Sequence, residues 1–129
     1  MAPRILIVDD NPDCRAVLAC YLQQLGYEIF QAEDSSKAIG QAIAEQPDLI
    51  LTDFRLPDMD AVEAAIILKR DPSAARIPII VLTGLVDAQC KRQALKAGIA
   101  RYLLKPISLG ELAYEIKILI DPLIKPCSI

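Results

Sequence analysis

The chain predicts an α/β fold, a doubly wound five-stranded parallel sheet in the order 2-1-3-4-5 with helices on both faces. Three observations carry this. Strand-like and helix-like segments alternate five times between residues 4 and 120, the pattern of a parallel sheet joined by right-handed crossovers. The strand-like segments at residues 4–8, 48–53 and 77–82 are nearly continuous apolar runs, as strands covered on both faces must be. The segment at residues 27–31 instead alternates apolar with polar, which places it at an edge and gives the stated order.

The elements follow in sequence. Arg4 to Val8 form the first strand, which stops at Asp9-Asp10. Asn11 is a helix N-cap, Pro12 suits a first turn, and Asp13 is mainly a charge at the positive helix end. Cys14, Val17, Leu18, Tyr21, Leu22 and Leu25 recur at helical spacing and define the expected inward stripe, and Gly26 stops the helix. After the second strand, Asp34-Ser35-Ser36 cap a helix reaching Glu45, with Ala38, Ile39, Ala42 and Ile43 inward, and Pro47 ends the unit. The third strand ends at Asp53, with Pro57 soon after. Residues 59–70 read as the third helix, with Val62, Ile66 and Ile67 inward. The fourth strand ends in Thr83-Gly84, and residues 87–97 form a helix stopped by Gly98. Residues 101–104 are a short fifth strand before Lys105-Pro106, and Ser108 caps the last helix, which runs to Ile120. Residues 1–121 are thus expected to be one domain, and residues 122–129, with Pro122 and Pro126, an irregular tail.

Composition narrows the function. The 129 residues are 53% hydrophobic with a net charge of −3 and a pI near 4.9, which suits one compact domain and offers no electrostatic footprint for nucleic acid or an anionic membrane. No apolar run is long enough for a membrane span, and no secretory signal precedes the first strand. Cys14, Cys20, Cys90 and Cys127 lack metal-ligand spacing and read as reduced thiols of a cytoplasmic protein. There is no histidine, so Ser-His and Cys-His nucleophile schemes and histidine metal sites are excluded, as is any role as a phosphohistidine donor. Carboxylates, lysine, hydroxyls and a hard metal ion remain.

The strand ends supply a set of that kind. Asp9 and Asp10 follow the first strand, Asp53 the third, Thr83 the fourth and Lys105 the fifth. In a parallel sheet these ends share one edge, and ligands bind outside the carboxyl ends at the switch point. Packed carboxylates repel one another unless a cation sits among them, and an oxygen-only donor set selects Mg2+ (or Mn2+). A carboxylate in such a site can attack a phosphoryl group, with Lys105 and the Thr83 hydroxyl placed to stabilise its oxygens.

Taken singly, each residue has a plainer reading. Asp9-Asp10 could be a helix-capping cluster, Thr83 a loop hydroxyl, Lys105 a solvated charge and Tyr102 core filler. Asp58 and Asp60 are read as solvated acids of the loop or first helical turn, with no catalytic part. It is the set, each member ending its own strand, that points to phosphoryl chemistry. A flavodoxin-type cofactor binder would share the fold, but these strand-end loops are acidic and lack a phosphate nest.

Over residues 4–120 the chain resembles the receiver domain of two-component response regulators, a CheY-like fold of single-domain type. The residues carrying the resemblance are Val8-Asp9-Asp10-Asn11, Asp53 with Leu56-Pro57 and Met59-Asp60, Val81-Leu82-Thr83-Gly84, and Gly98 with Tyr102-Leu103-Leu104-Lys105-Pro106. The resemblance implies that Asp53 is the phosphoacceptor, that Asp9 and Asp10 are the acidic pair with Asp10 the more direct metal ligand, and that the Arg55 backbone carbonyl completes the Mg2+ shell. It further implies that Thr83 is the switch hydroxyl, Tyr102 the switch aromatic and Lys105–Pro106 a cis bond. The phosphoryl donor would be a sensor histidine kinase or histidine phosphotransfer protein. The output would be binding of a downstream effector at the face of the fourth helix, fifth strand and last helix, with homodimerisation as a further use of that face. Such a chain is a switch with self-phosphorylation and autodephosphorylation chemistry, not an enzyme. Ala61 and Ile99 depart from the family's usual Gly and Ala and bear only on local loop shape and packing.

Two alternatives stay open: a receiver cut from a hybrid kinase or transcription regulator, and a receiver-like interaction module that works unphosphorylated. On the last helix, Leu109, Leu112, Ala113, Ile116, Leu119 and Ile120 supply an inward stripe, which leaves Tyr114 and Ile118 on the opposite face. They are either scattered surface apolars or part of a partner surface.

Overall fold

The computed structural model describes residues 2–120. The chain folds as β1 (Arg4–Val8), α1 (Pro12–Gln24), β2 (Glu28–Ala32), α2 (Ser35–Glu45), β3 (Leu49–Thr52), α3 (Ala61–Arg70), β4 (Ile79–Thr83), α4 (Ala88–Lys96), β5 (Arg101–Leu104) and α5 (Leu109–Ile120). All strand pairs are parallel and the order is β2-β1-β3-β4-β5, as the apolar patterning predicts. The tail at residues 122–129, including Cys127, lies outside the described residues. Among the described residues, no helix is long and apolar enough to cross a membrane.

The strand period splits the core in two. Leu6, Val8, Ile50, Ile79 and Val81 point to one face, where Ala38, Ala42, Ala61, Ala65, Leu68 and Ala94 of α2, α3 and α4 cover them. Ile5, Ile7, Leu49, Leu51, Ile80 and Leu82 point to the other, beneath Ala19 and Leu22 of α1 and Leu112 and Ile116 of α5. Every residue of β3 and β4 is buried, as a central strand flanked by helices on both sides requires.

Several inward stripes are rotated from their expected positions. On α1, Ala19 and Leu22 are buried and Leu18 and Tyr21 half-buried, whereas Val17 is 59% exposed and Leu25 50% exposed. On α3 the contact runs through Ala61, Ala65 and Leu68, while Ile66 and Ile67 are exposed. Ile43 and Leu109 are exposed too. On α2 and α3 the buried line is mostly alanine, which lets the helix approach the sheet and leaves the bulkier apolar residues flanking the contact.

Helix ends follow local chemistry. Asn11 Oδ1 accepts from the Asp13 and Cys14 N–H groups, Asp87 Oδ1 from those of Gln89 and Cys90, and Ser108 Oγ from that of Glu111. α3 begins at Ala61 rather than Met59 because Asp60 is its N-cap, accepting from the Glu63 N–H at 3.0 Å. Gly26 and Gly98 both stand at φ +98°, where a side chain would be strained.

Candidate functional site

The parallel sheet brings the expected residues to one edge. The Asp9 N–H donates to the Ala32 carbonyl at 3.1 Å, the Asp53 N–H to the Val8 carbonyl at 3.0 Å, and the Lys105 N–H to the Thr83 carbonyl at 2.8 Å. The strand ladder therefore fixes each backbone just where its side chain leaves the sheet.

Carboxylate oxygens of Asp9, Asp10 and Asp53 lie within 4.8 Å of one another. Asp9 is buried, Asp53 half-buried and Asp10 exposed. Lys105 Nζ stands 3.8 Å from Asp9 Oδ2, and the Asn11 N–H donates to Asp9 Oδ1 at 2.9 Å. Burial nevertheless holds the Asp9 carboxyl above its ordinary pKa. The Asn11 N–H and Lys105 pull it down, while the charges of Asp53 and Asp10 push it up again. One ammonium beside three carboxylates leaves an excess of negative charge in a pocket with only oxygen donors. That donor set fits a hard divalent cation such as Mg2+.

Thr83 is buried, and its Oγ1 accepts from the Leu85 N–H at 3.2 Å. Tyr102 is buried as well: its hydroxyl donates to the Leu85 carbonyl at 2.9 Å, and its ring meets Phe54 edge-on at 6.0 Å. The two expected switch residues thus both hold the backbone of Leu85, Thr83 through its N–H and Tyr102 through its carbonyl, with Tyr102 turned inward. Burial raises the Tyr102 phenol above its ordinary pKa. The Lys105–Pro106 bond is cis. Arg55 is exposed, on the loop after Asp53.

Tyr114 and Ile118 do not make one exposed pair. Tyr114, 61% exposed, lines a groove between α1 and α5 with Tyr21, Leu25 and Lys117, whereas Ile118 is half-buried. The side of α5 nearer β5 is tied down by Glu115, which accepts from Arg101 Nε at 3.0 Å.

Two residues had no part in the sequence reading of the site. Arg15 reaches back from α1 and donates through Nη1 to the Asp9 carbonyl at 2.6 Å, bracing the turn that carries Asp10. Asp58, expected as a solvated acid, accepts from the Ser35 N–H and from the N–H and hydroxyl of Ser36, which hold its pKa down at about 2. Neither contact has a local signature, since each depends on where another element docks.

A model of the response regulator receiver domain matches residues 5–117. The chain is 41% identical over 113 residues to the phosphate regulon transcriptional regulatory protein PhoB of Pseudomonas aeruginosa, covering 88% of this chain and 49% of that protein. It is 37% identical over 118 residues to the DNA-binding dual master transcriptional regulator RpaA of Synechocystis, covering 92% of this chain and 49% of that one. The chain therefore spans about half the length of these two curated relatives. Among solved structures it superposes with TM-score 0.85 and 32% identity on the receiver domain of a Pseudomonas aeruginosa sensor histidine kinase, whose structure has magnesium coordinated in the active-site cleft; 93% of this chain and 98% of that one are covered. The chain belongs to the family of response regulator receiver domains, the phosphoacceptor modules of two-component phosphorelays.

Proposed function

We propose that Asp53 is the phosphoacceptor of this receiver and that Asp9, Asp10, Asp53 and the Arg55 carbonyl would hold Mg2+. The observation that carries the reading is the meeting of three carboxylates with Lys105 at one sheet edge. A bound divalent cation would offset the negative charge of the carboxylates and of an incoming phosphoryl group. An Asp53 carboxylate oxygen attacks phosphorus in line, the bond from phosphorus to the donor's imidazole nitrogen breaks, and the donor regains its lone pair on that nitrogen. Lys105 and the Thr83 hydroxyl then hold the phosphoryl oxygens. The histidine comes from a sensor kinase or phosphotransfer protein, because this chain contains none.

When Thr83 turns to the phosphoryl group, its contact with the Leu85 N–H is given up. Tyr102 holds the Leu85 carbonyl, so the change reaches α4, β5 and α5, the face proposed for an effector or a second copy. The chain acts as a switch in the cytoplasm and not as an enzyme. A second reading, in which this receiver governs a DNA-binding output, rests on the two transcriptional regulators it resembles and is checked by the reading frame of the gene. Labelling with acetyl phosphate and Mg2+ tests the site: wild type is expected to gain one base-labile, hydroxylamine-labile phosphoryl group and Asp53→Asn none. A labelled Asp53→Asn protein overturns the assignment.

A further inference from the structure

The loop that leaves Asp53 is anchored at both ends. At its start, Phe54 is buried and its carbonyl accepts from the Ala61 N–H at 2.8 Å. Beyond residues 55–57 the chain is caught by α2. Asp58 Oδ1 accepts from the Ser35 N–H at 3.0 Å, and Oδ2 from the Ser36 N–H at 2.8 Å and the Ser36 hydroxyl at 2.6 Å. Ser35 is fully buried and donates its own hydroxyl to the Met59 carbonyl at 3.1 Å.

A helix N-terminus favours an acceptor, and Asp34 already serves as the N-cap of α2 by accepting from the Lys37 N–H. The second carboxylate comes from the loop that begins at the phosphorylation site. It occupies the two N–H groups that Asp34 leaves, with a neutral hydroxyl closing the clamp.

We propose that Asp58, Ser35 and Ser36 are positioning residues of the phosphorylation site, clamping the far end of the loop that carries Arg55 so that its carbonyl stays presented to the divalent cation. This rests on the assignment of Asp53, Asp9, Asp10 and the Arg55 carbonyl made above. None of the three serine and aspartate side chains is a metal ligand in that assignment; their hydrogen bonds are spent on one another and on the loop. Their effect is preorganisation. With the clamp closed, residues 55–57 hang between two fixed points and lose little freedom when the cation binds. With it open, the same segment must be ordered by the cation itself.

The test uses the full chain. Mg2+ is titrated into metal-free wild type, Asp58→Ala, Ser36→Ala and Ser36→Thr by calorimetry, with thermal unfolding and amide hydrogen exchange of residues 55–58 measured without metal. Asp58→Ala is expected to bind Mg2+ about 10-fold more weakly, at the lower end for groups that support a metal ligand. Ser36→Ala, which changes no charge, should shift affinity the same way by less, and Ser36→Thr should restore it. Exchange of the Arg55 amide should quicken in both weakened variants. Labelling by acetyl phosphate should be slow at low Mg2+ and return to the wild-type rate at saturating Mg2+. A lowered melting temperature with unchanged Mg2+ affinity in Ser36→Ala overturns the proposal, and that variant decides the matter if Asp58→Ala fails to fold. Wild type that neither binds Mg2+ nor labels on Asp53 overturns the site assignment and the clamp together. Wild type that does both, beside unshifted variants, overturns the clamp alone.

Discussion

At Asp9, burial works against the Asn11 N–H and the Lys105 ammonium. Its folded pKa lies above the ordinary 3.8, first through desolvation and then through the charges of Asp53 and Asp10. A raised carboxyl pKa favours the protonated folded form. The metal-free protein should therefore lose stability as pH rises from that ordinary value through the raised one, and carry the deficit at neutral pH. Asp9→Asn is expected to melt at a higher temperature than wild type at pH 7 without metal, and to bind Mg2+ more weakly. Equal melting temperatures across pH 3–8 would count against buried charge as the cause. Tyr102 gives a second residue-scale case. Tyr102→Phe keeps the ring against Phe54 and removes the donor to the Leu85 carbonyl, a loss of about 1 kcal/mol in urea unfolding. Asp9, Asp10, Asp53, Thr83 and Lys105 were legible because each stands at the carboxyl end of a strand that the sequence marks clearly. Arg15 was not, because its reach to the Asp9 carbonyl depends on how α1 folds back over β1.

Among elements, strands were easier to place than helix faces. A strand between two helical layers needs apolar residues at every position, so β3 and β4 could be read directly. A helix offers several overlapping apolar stripes, and the one that docks depends on shape. Hence Ala19 and Leu22 face the sheet while Val17 faces water. Leu22→Ala is expected to cost about 2–5 kcal/mol by leaving a cavity, and Val17→Ala within about 0.5 kcal/mol; similar losses in chemical denaturation would contradict the rotated stripe. The loop-to-α2 clamp has its own pH signature. The Asp58 pKa is lowered to about 2, first through the Ser36 hydroxyl and then through backbone N–H groups. Its stabilising contribution is therefore present above pH 3.8, the ordinary value, and lost as pH falls towards 2. Asp58→Asn should flatten the dependence of melting temperature on pH between about 4 and 2.

Across the whole molecule, ligand at the sheet edge should stabilise the entire chain, because β1, β3, β4 and β5 all end in the site. Beryllofluoride with Mg2+, at about a hundredfold excess over its dissociation constant, is expected to add about 2.7 kcal/mol to unfolding of wild type and little to Asp53→Asn. Equal stabilisation of both would place the ligand elsewhere. Light scattering on the same samples reads the proposed second-copy use of the α4, β5 and α5 face: a monomer with and without beryllofluoride excludes it. By itself, the sequence determined the element order, the parallel sheet and the residues at its carboxyl edge. Strand burial, turn chemistry and the rule placing parallel strand ends together are all written in local composition. Only the tertiary structure decided which helix faces dock, that Tyr114 lines the groove beside α1 rather than pairing with Ile118, and that Asp58 closes on Ser35 and Ser36. Those contacts join residues far apart in the chain, so they depend on how neighbouring elements dock and leave no local pattern.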